Sequence, residues 1–164
     1  MSSVSESVVV ESQSEELLQL VSFNLGKEEF AVDILKIQEI NRMVEITKVP
    51  KSPEFVEGVI NLRGKVIPII DLRKRFSLPK SESTRQTRIV VVDIDNKIVG
   101  LVVDAVSEVL RLPAKTVEPP PPIVAGIDSE YISGVGKLED RLLILLELDK
   151  VLSKDEKKVL EKVA

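Results

Sequence analysis

The chain has no cysteine, histidine or tryptophan, and only one tyrosine and four phenylalanines among its 164 residues. Without cysteine there is no disulfide framework and no thiol nucleophile, a usage that fits a reducing compartment. Without histidine the commonest general base is gone, and with cysteine also absent so are the usual zinc ligands. Formal net charge is −4, so no basic field awaits a phosphate backbone, and the few aromatics leave little for base stacking; nucleic acid is an unexpected partner. No apolar run approaches the ~20 residues of a membrane helix, and the polar start Met1–Ser7 lacks the pattern of a signal peptide, so the expected address is the cytoplasm without membrane insertion.

Motifs for small-ligand chemistry are also incomplete. Gly64-Lys65 and Gly136-Lys137 lack the earlier glycine of a phosphate loop, with Val59 and Tyr131 in its place, and no Ser or Thr follows either lysine. Gly134-Val135-Gly136 has Glu139 where a third glycine would be needed, and it reads as a strand-entry turn. Asp93 and Asp95 have no further ligand-spaced oxygens after them, so no metal is expected. Nothing here calls for a cofactor or catalysis.

What is present is a repeat. Residues 58–72, Gly-Val-Ile-Asn-Leu-Arg-Gly-Lys-Val-Ile-Pro-Ile-Ile-Asp-Leu, set an Arg-Gly-Lys turn between two apolar segments. The pattern returns from Gly134, with the run Leu142–Leu146 behind it. Earlier in each half, Phe30-Ala31-Val32 and Ile37–Arg42 match Val99-Gly100-Leu101 and Val106–Arg111 at one offset, 69 residues. Two segments recurring in the same order argue for a duplicated β unit.

The composition predicts a mainly β fold. Leu17–Leu25 and Phe30-Ala31-Val32 form a hairpin about Gly26-Lys27-Glu28; Val59–Leu72 forms another; Arg88–Ile94 and Lys97–Val103 join through Asp95-Asn96, residues suited to positive φ. Ile34, Ile37 and Ile40 recur every three residues, a spacing that suits a helical or 3-10 turn. Ser52-Pro53-Glu54 reads as the cap and first turn of a short helix through Val56. Pro119–Pro122 is a stiff spacer, and Ser153-Lys154-Asp155-Glu156 is a capping box before a helix with Val159, Leu160 and Val163 on one face. Residues 1–14 read as a disordered tail. The polar segment 77–87 reads as the boundary between two halves, about 15–80 and 85–152, ahead of a helix at 153–164. Units of that size bury little surface alone, so the halves are expected to share a core.

Several polar side chains sit beside these apolar segments. Arg42 and Asp71 read as solvated charges, continuous with a charged rim Arg73-Lys74-Arg75. Asn61 flanks the turn. Arg63 at the hairpin tip offers a planar guanidinium to a carboxylate, either Glu39 within the chain or one on a partner. Ile34, Ile37 and Ile40 are either core or a groove for a partner helix.

Three stretches carry a family resemblance: Val32–Ile40, Pro53–Gly64 with its Asn61-Leu62-Arg63-Gly64 segment, and Pro68–Leu72. Together with Val99–Asp104, Tyr131–Gly136 and Asp140–Leu145 they resemble CheW, the bacterial chemotaxis coupling proteins, over about residues 17–164. That resemblance implies two SH3-like five-stranded β-barrels packed on each other and a non-enzymatic adaptor, monomeric when free. It would join the cytoplasmic hairpin tip of chemoreceptors to the regulatory domain of the histidine kinase CheA in arrays at the membrane. By position, Ile34, Ile37, Glu39 and Ile40 would face the receptor, with Arg63 close by. Val44, Ile46 and Val49 would give the kinase an apolar patch, and Gly58, Gly64 and Gly134 would serve as structural turns. A coupler of gliding or twitching motility would share these residues. A small-molecule-binding β-barrel would need a concave polar cluster that the motifs do not supply.

Overall fold

The computed structural model describes residues 16–79, 81–124 and 126–163; the expected tail at 1–14 lies outside them. Among the described residues thirteen strands run in chain order: β1 Leu17–Leu25, β2 Glu28–Asp33, β3 Ile37–Arg42, β4 Val56–Leu62, β5 Lys65–Asp71, β6 Arg88–Ile94, β7 Lys97–Val103, β8 Ala105–Pro113, β9 Val117–Glu118, β10 Ile123–Val124, β11 Ile127–Asp128, β12 Ile132–Lys137 and β13 Leu142–Leu146. They form a five-stranded sheet ordered β3-β6-β7-β5-β4 and a six-stranded sheet ordered β8-β1-β2-β13-β12-β9, whose last member is two residues long, with β10-β11 apart. The fold is mainly β, two SH3-like units packed on each other.

The units are not divided at 77–87. β1 and β2 join the sheet of β8, β12 and β13, while β6 and β7 join the sheet of β3, β4 and β5. Each repeat thus gives its first hairpin to the sheet of the other, so the sequence boundary is not a sheet boundary. Parallel pairings seal both exchanges, β2 on β13 through Phe30↔Ile144 and β5 on β7 through Ile69↔Gly100. Local pattern identifies a hairpin; which neighbour it chooses is set by what its two faces must cover.

Both faces of the central strands are apolar, which is why they read as unbroken Val, Ile and Leu runs. Along β6, Ile89 and Val91 enter the interior of the five-stranded unit beside Ile60, Ile67 and Ile69. The alternate residues Val90, Val92 and Ile94 enter a larger core shared with Phe23, Phe30 and Ile144 of the other sheet. β13 does the same with Leu143 and Leu145 in its own unit and Ile144 and Leu146 in the shared core. One layer of side chains therefore belongs to both units.

The hairpins at 17–33, 56–71 and 88–103 lie where their composition placed them. Asp95 and Asn96 adopt φ of 51° and 66°, the positive values a tight two-residue turn needs. A 3-10 turn at Ile34–Lys36, capped by the Asp33 carboxylate on Leu35 N, gives way to β3 at Ile37. The expected helix through Val56 is only a turn, closed by Val56 N donating to Pro53 O; strand pairing of Val56 with Ile70 takes the chain before a second helical turn can form. Four-residue helices follow β5 and β13, at Leu72–Arg75 and Leu148–Val151, and are too short to leave a periodic signal. The capping box is reciprocal, Glu156 N donating to Ser153 Oγ at 3.1 Å and Ser153 N to Glu156 Oε1 at 2.8 Å. Behind it the helix Lys154–Val163 buries Leu160 in the shared core, with Val159 exposed; the side chain of Val163 lies outside those described.

Gly58 and Gly134 are not turns. Both lie inside strands, where a neighbouring chain crosses too closely for a β-carbon. At Gly58, φ is +147° and the obstruction is the backbone of Thr47, which bridges to Val59; at Gly134 it is Val117 and Glu118 of β9. Gly64 is in a turn, with φ of 85° after Arg63 at 51°.

Candidate functional site

The hairpin β4-β5 closes with two residues, Arg63 and Gly64, both at positive φ, while the Asn61 carboxamide oxygen accepts from Gly64 N at 2.9 Å. That turn aims Arg63 across the sheet edge at β3. Its Nη2 donates to Glu39 Oε2 at 2.6 Å, and Asn41 Nδ2 donates to Glu39 Oε1 at 3.2 Å. The hydrogen bond from Arg63, and after it that from Asn41, holds the Glu39 carboxyl below the ordinary carboxylate range. Arg63 keeps 74% of its side-chain surface exposed against 23% for Glu39, so the guanidinium is held in one orientation with most of its donors free. The pair forms within the chain and is available to a partner at the same time.

β3 separates the expected receptor-facing residues. Opposite β6 its register shifts, Ile37 facing Val92 and Glu39 facing Val91, so Gln38 is an extra residue and the strand is bulged. Directly opposed residues share a face. Ile37 with Val92 and Ile40 with Val90 therefore lie on the shared-core face, and Glu39 with Val91 and Asn41 with Ile89 on the other. The three-residue spacing of Ile37 and Ile40 arises from a β-bulge and not from a helical turn. Ile37 is half-buried and packs against the shared core, whereas Ile40 is exposed. Ile34 is half-buried in the 3-10 turn, and beside it Leu35 is 84% exposed. Leu35 was not among the residues expected to face a partner; Asp33, which accepts from Leu35 N and closes the 3-10 turn, is the one sequence signal for the turn that carries it.

The apolar patch expected of Val44, Ile46 and Val49 is also divided. Val44 is half exposed in an open groove with Arg42, Thr47 and Leu62. Ile46 packs on the interior of the five-stranded unit beneath Gly58, and with Val49 it lines a separate cavity floored by Glu57, Asp71 and Lys74. The Thr47–Val59 bridge turns the segment between them.

The charged rim does more than face solvent. Arg73 forks onto Asp104, donating from Nε to Oδ1 at 2.9 Å and from Nη2 to Oδ2. Arg75 lies over the rings of Phe55 and Tyr131, 5.5 and 5.1 Å from their centroids, and donates to Glu156 and to Val151 O. Lys74 pairs with Glu57 at 2.6 Å. Asp71 caps the helix by accepting from Arg73 N, and burial pushes its carboxyl up. Arg42 alone of this group is a solvent-facing charge of the kind expected.

A second arginine clasp forms in the other repeat, with its carboxylate at the repeat position and its arginine two residues beyond the one that corresponds to Arg63. Glu108 on β8 matches Glu39 at the 69-residue offset, and Arg141, in the loop before β13, donates from Nη2 to Glu108 at 2.7 Å and from Nε to Glu29 at 2.9 Å. Among the described residues no group of three or more carboxylates is arranged to hold a metal ion, and no helix is long and apolar enough to cross a membrane.

Two interlocked SH3-like units that hold orienting ion pairs at their hairpin tips define a β-rich scaffolding protein, one whose specificity lies on its surfaces. Comparison with known proteins places it more closely. Residues 19–156 match the family model described as CheW-like domain. The chain is 40% identical to chemotaxis protein CheW of Klebsiella aerogenes over 89% of this chain and 88% of that one, and 37% identical to chemotaxis protein CheW of Helicobacter pylori over 88% and 87%. The crystal structure of scaffolding protein TtCheW from Thermoanaerobacter tengcongensis superposes with a TM-score of 0.80 at 40% identity, covering 86% of this chain and 91% of that one. The chain belongs to the CheW-like family. Its role is that of a chemotaxis coupling adaptor.

Proposed function

We propose that this adaptor couples the cytoplasmic hairpin tip of a chemoreceptor to the regulatory domain of the histidine kinase CheA, in the cytoplasm and without catalysis. The Glu39–Arg63 pair carries the reading: an exposed arginine is pinned by a turn that requires positive φ, an orientation of little use to folding and of direct use to recognition. Exposed ion pairs contribute about 0–1 kcal/mol to stability. At a desolvated interface, loss of one member of a pair costs roughly 2–5 kcal/mol of binding. The receptor surface is read as wrapping the edge strand β3, with Ile40 on one side, Glu39 and Arg63 on the other, Ile34 and Leu35 in the turn before it, and Ile37 half-buried on the side of Ile40. The kinase face is read as the groove of Val44, with Ile46 and Val49 supporting the segment from inside. Gliding or twitching pathways built from the same components would be served by the same surfaces.

The test is in vitro assembly of receptor fragment, kinase and this protein, comparing wild type, Arg63→Lys, Glu39→Gln and the double variant at fixed salt. Arg63→Lys is expected to fold normally and couple poorly, because an ammonium does not reproduce the planar fork. A double variant no worse than either single one supports the pair acting as a unit; additive losses reject it.

A further inference from the structure

Of the eight arginines, Arg63, Arg73, Arg75 and Arg141 each pair with a carboxylate. Among the described residues no such pair is formed by Arg42, Arg85, Arg88 or Arg111, and the first three lie together at one end of the five-stranded sheet. Arg42 on β3 stands directly opposite Arg88 on β6. Arg88 Nη1 donates to the carbonyl oxygens of Arg85 and Thr87, which holds its guanidinium beside the 85–87 turn. Like charges opposed across two strands destabilise a sheet, and in a chain of net charge −4 carboxylates are not scarce. Glu45 shares the groove of Arg42 without forming an ion pair with it. The arrangement costs the folded state, and a partner that brings the missing carboxylates offsets that cost.

Register supplies the rest of the surface. Ile40↔Val90 and Arg42↔Arg88 are on one face of β3 and β6, so exposed Ile40 and the arginine pair form a continuous strip, its successive positions about 7 Å apart. We propose that Ile40, Arg42 and Arg88 form a docking strip for an acidic segment of the protein partner bound by β3, one with a carboxylate next to an apolar side chain. Bidentate guanidinium–carboxylate pairing sets the register, and Ile40 supplies the apolar anchor. This rests on the reading of β3 as the receptor-facing strand and assigns the chemistry that its partner must present.

The experiment measures binding of a receptor cytoplasmic hairpin fragment and, separately, of the kinase regulatory domain to the full chain at several salt concentrations. Wild type is compared with Arg42→Gln, Arg88→Gln, Arg42→Lys and Ile40→Ala. Each glutamine variant is expected to weaken receptor-fragment binding about tenfold and flatten its salt dependence, with Arg42→Lys intermediate. Arg42→Gln should leave the melting temperature unchanged or raise it, since the repulsion is relieved. Wild type that binds the fragment, with glutamine variants of equal affinity and equal salt slope, overturns the strip. Loss confined to the kinase domain overturns its assignment to this partner. Vesicles of phosphatidylserine and phosphatidylcholine are the last arm: arginine-dependent vesicle binding with unchanged fragment binding would make the ligand a lipid surface and reject the proposal. If wild type fails to bind the receptor fragment at all, the coupling reading itself falls, a result distinct from any of these.

Discussion

Arg73 clasps Asp104, the one residue between β7 and β8, at the point where the chain leaves one sheet for the other. Asp104 Oδ2 also accepts from Gly26 N at 2.7 Å in the β1-β2 turn, and Arg73 Nη1 donates to Pro79 O at 2.7 Å. One guanidinium therefore ties the interdomain strand crossing, the linker and, through Asp104, the exchanged hairpin. Asp104 is held below its usual range: its hydrogen bonds from Arg73 and Gly26 outweigh the upward push of burial, the largest single effect.

Arg73→Lys is expected to destabilise the protein by about 2 kcal/mol, the scale of hydrogen bonds to charged groups, and to lower Tm by roughly 4–8 °C. Thermal melts monitored by circular dichroism check this. An unchanged Tm would reduce the clasp to a surface contact.

The exchanged hairpins make a stronger demand. A fragment ending at residue 79 lacks β6 and β7, which supply Val90, Val92, Val99 and Leu101 to the shared core, so it should remain unfolded. Co-expressed with a fragment starting at residue 81, it should recover a folded 1:1 complex, because each fragment completes the sheet of the other. Well-dispersed amide spectra from the first fragment alone would contradict the interlock.

Ile37→Ala distinguishes a supporting residue from a contact residue. The side chain is half-buried against the shared core, so truncation should cost about 1 kcal/mol of stability, below the 2–5 kcal/mol of a fully enclosed site. Ile40→Ala on the exposed side should change stability little and binding more. Denaturant melts paired with fragment binding separate the two.

Asp71 gives a pH dependence whose sign follows from its burial. Its carboxyl is raised, mainly by burial, with Glu57 adding to it. The folded state thus holds a proton that the unfolded state releases, and stability falls as pH rises from the unfolded pKa through the folded one. Asp71→Asn keeps a capping oxygen for Arg73 N and should abolish that decline, gaining on wild type at neutral pH and losing the advantage in acid. Urea melts at pH 3 to 8 measure it. Glu39 runs opposite: held low by Arg63, its pair contributes above the ordinary carboxylate range and is lost as pH falls through its depressed pKa.

The sequence by itself determined the three hairpins β1-β2, β4-β5 and β6-β7, the turns at their tips and the duplication. These are local matters: Asp95-Asn96 tolerates positive φ, Ser153 and Glu156 cap each other three residues apart, and apolar runs such as Leu142–Leu146 announce burial on both faces. It also placed Glu39 and Arg63 as candidates for one pair, because a hairpin tip exposes what it carries. Tertiary structure decided where each hairpin went. β1-β2 and β6-β7 each satisfy two cores at once, and only the opposite repeat presents the second. It likewise decided the face of each site residue: one extra residue at the β3 bulge put Ile37 and Ile40 together and turned Glu39 away. A bulge is chosen by the register with β6, fifty residues on, and no periodicity within β3 records it.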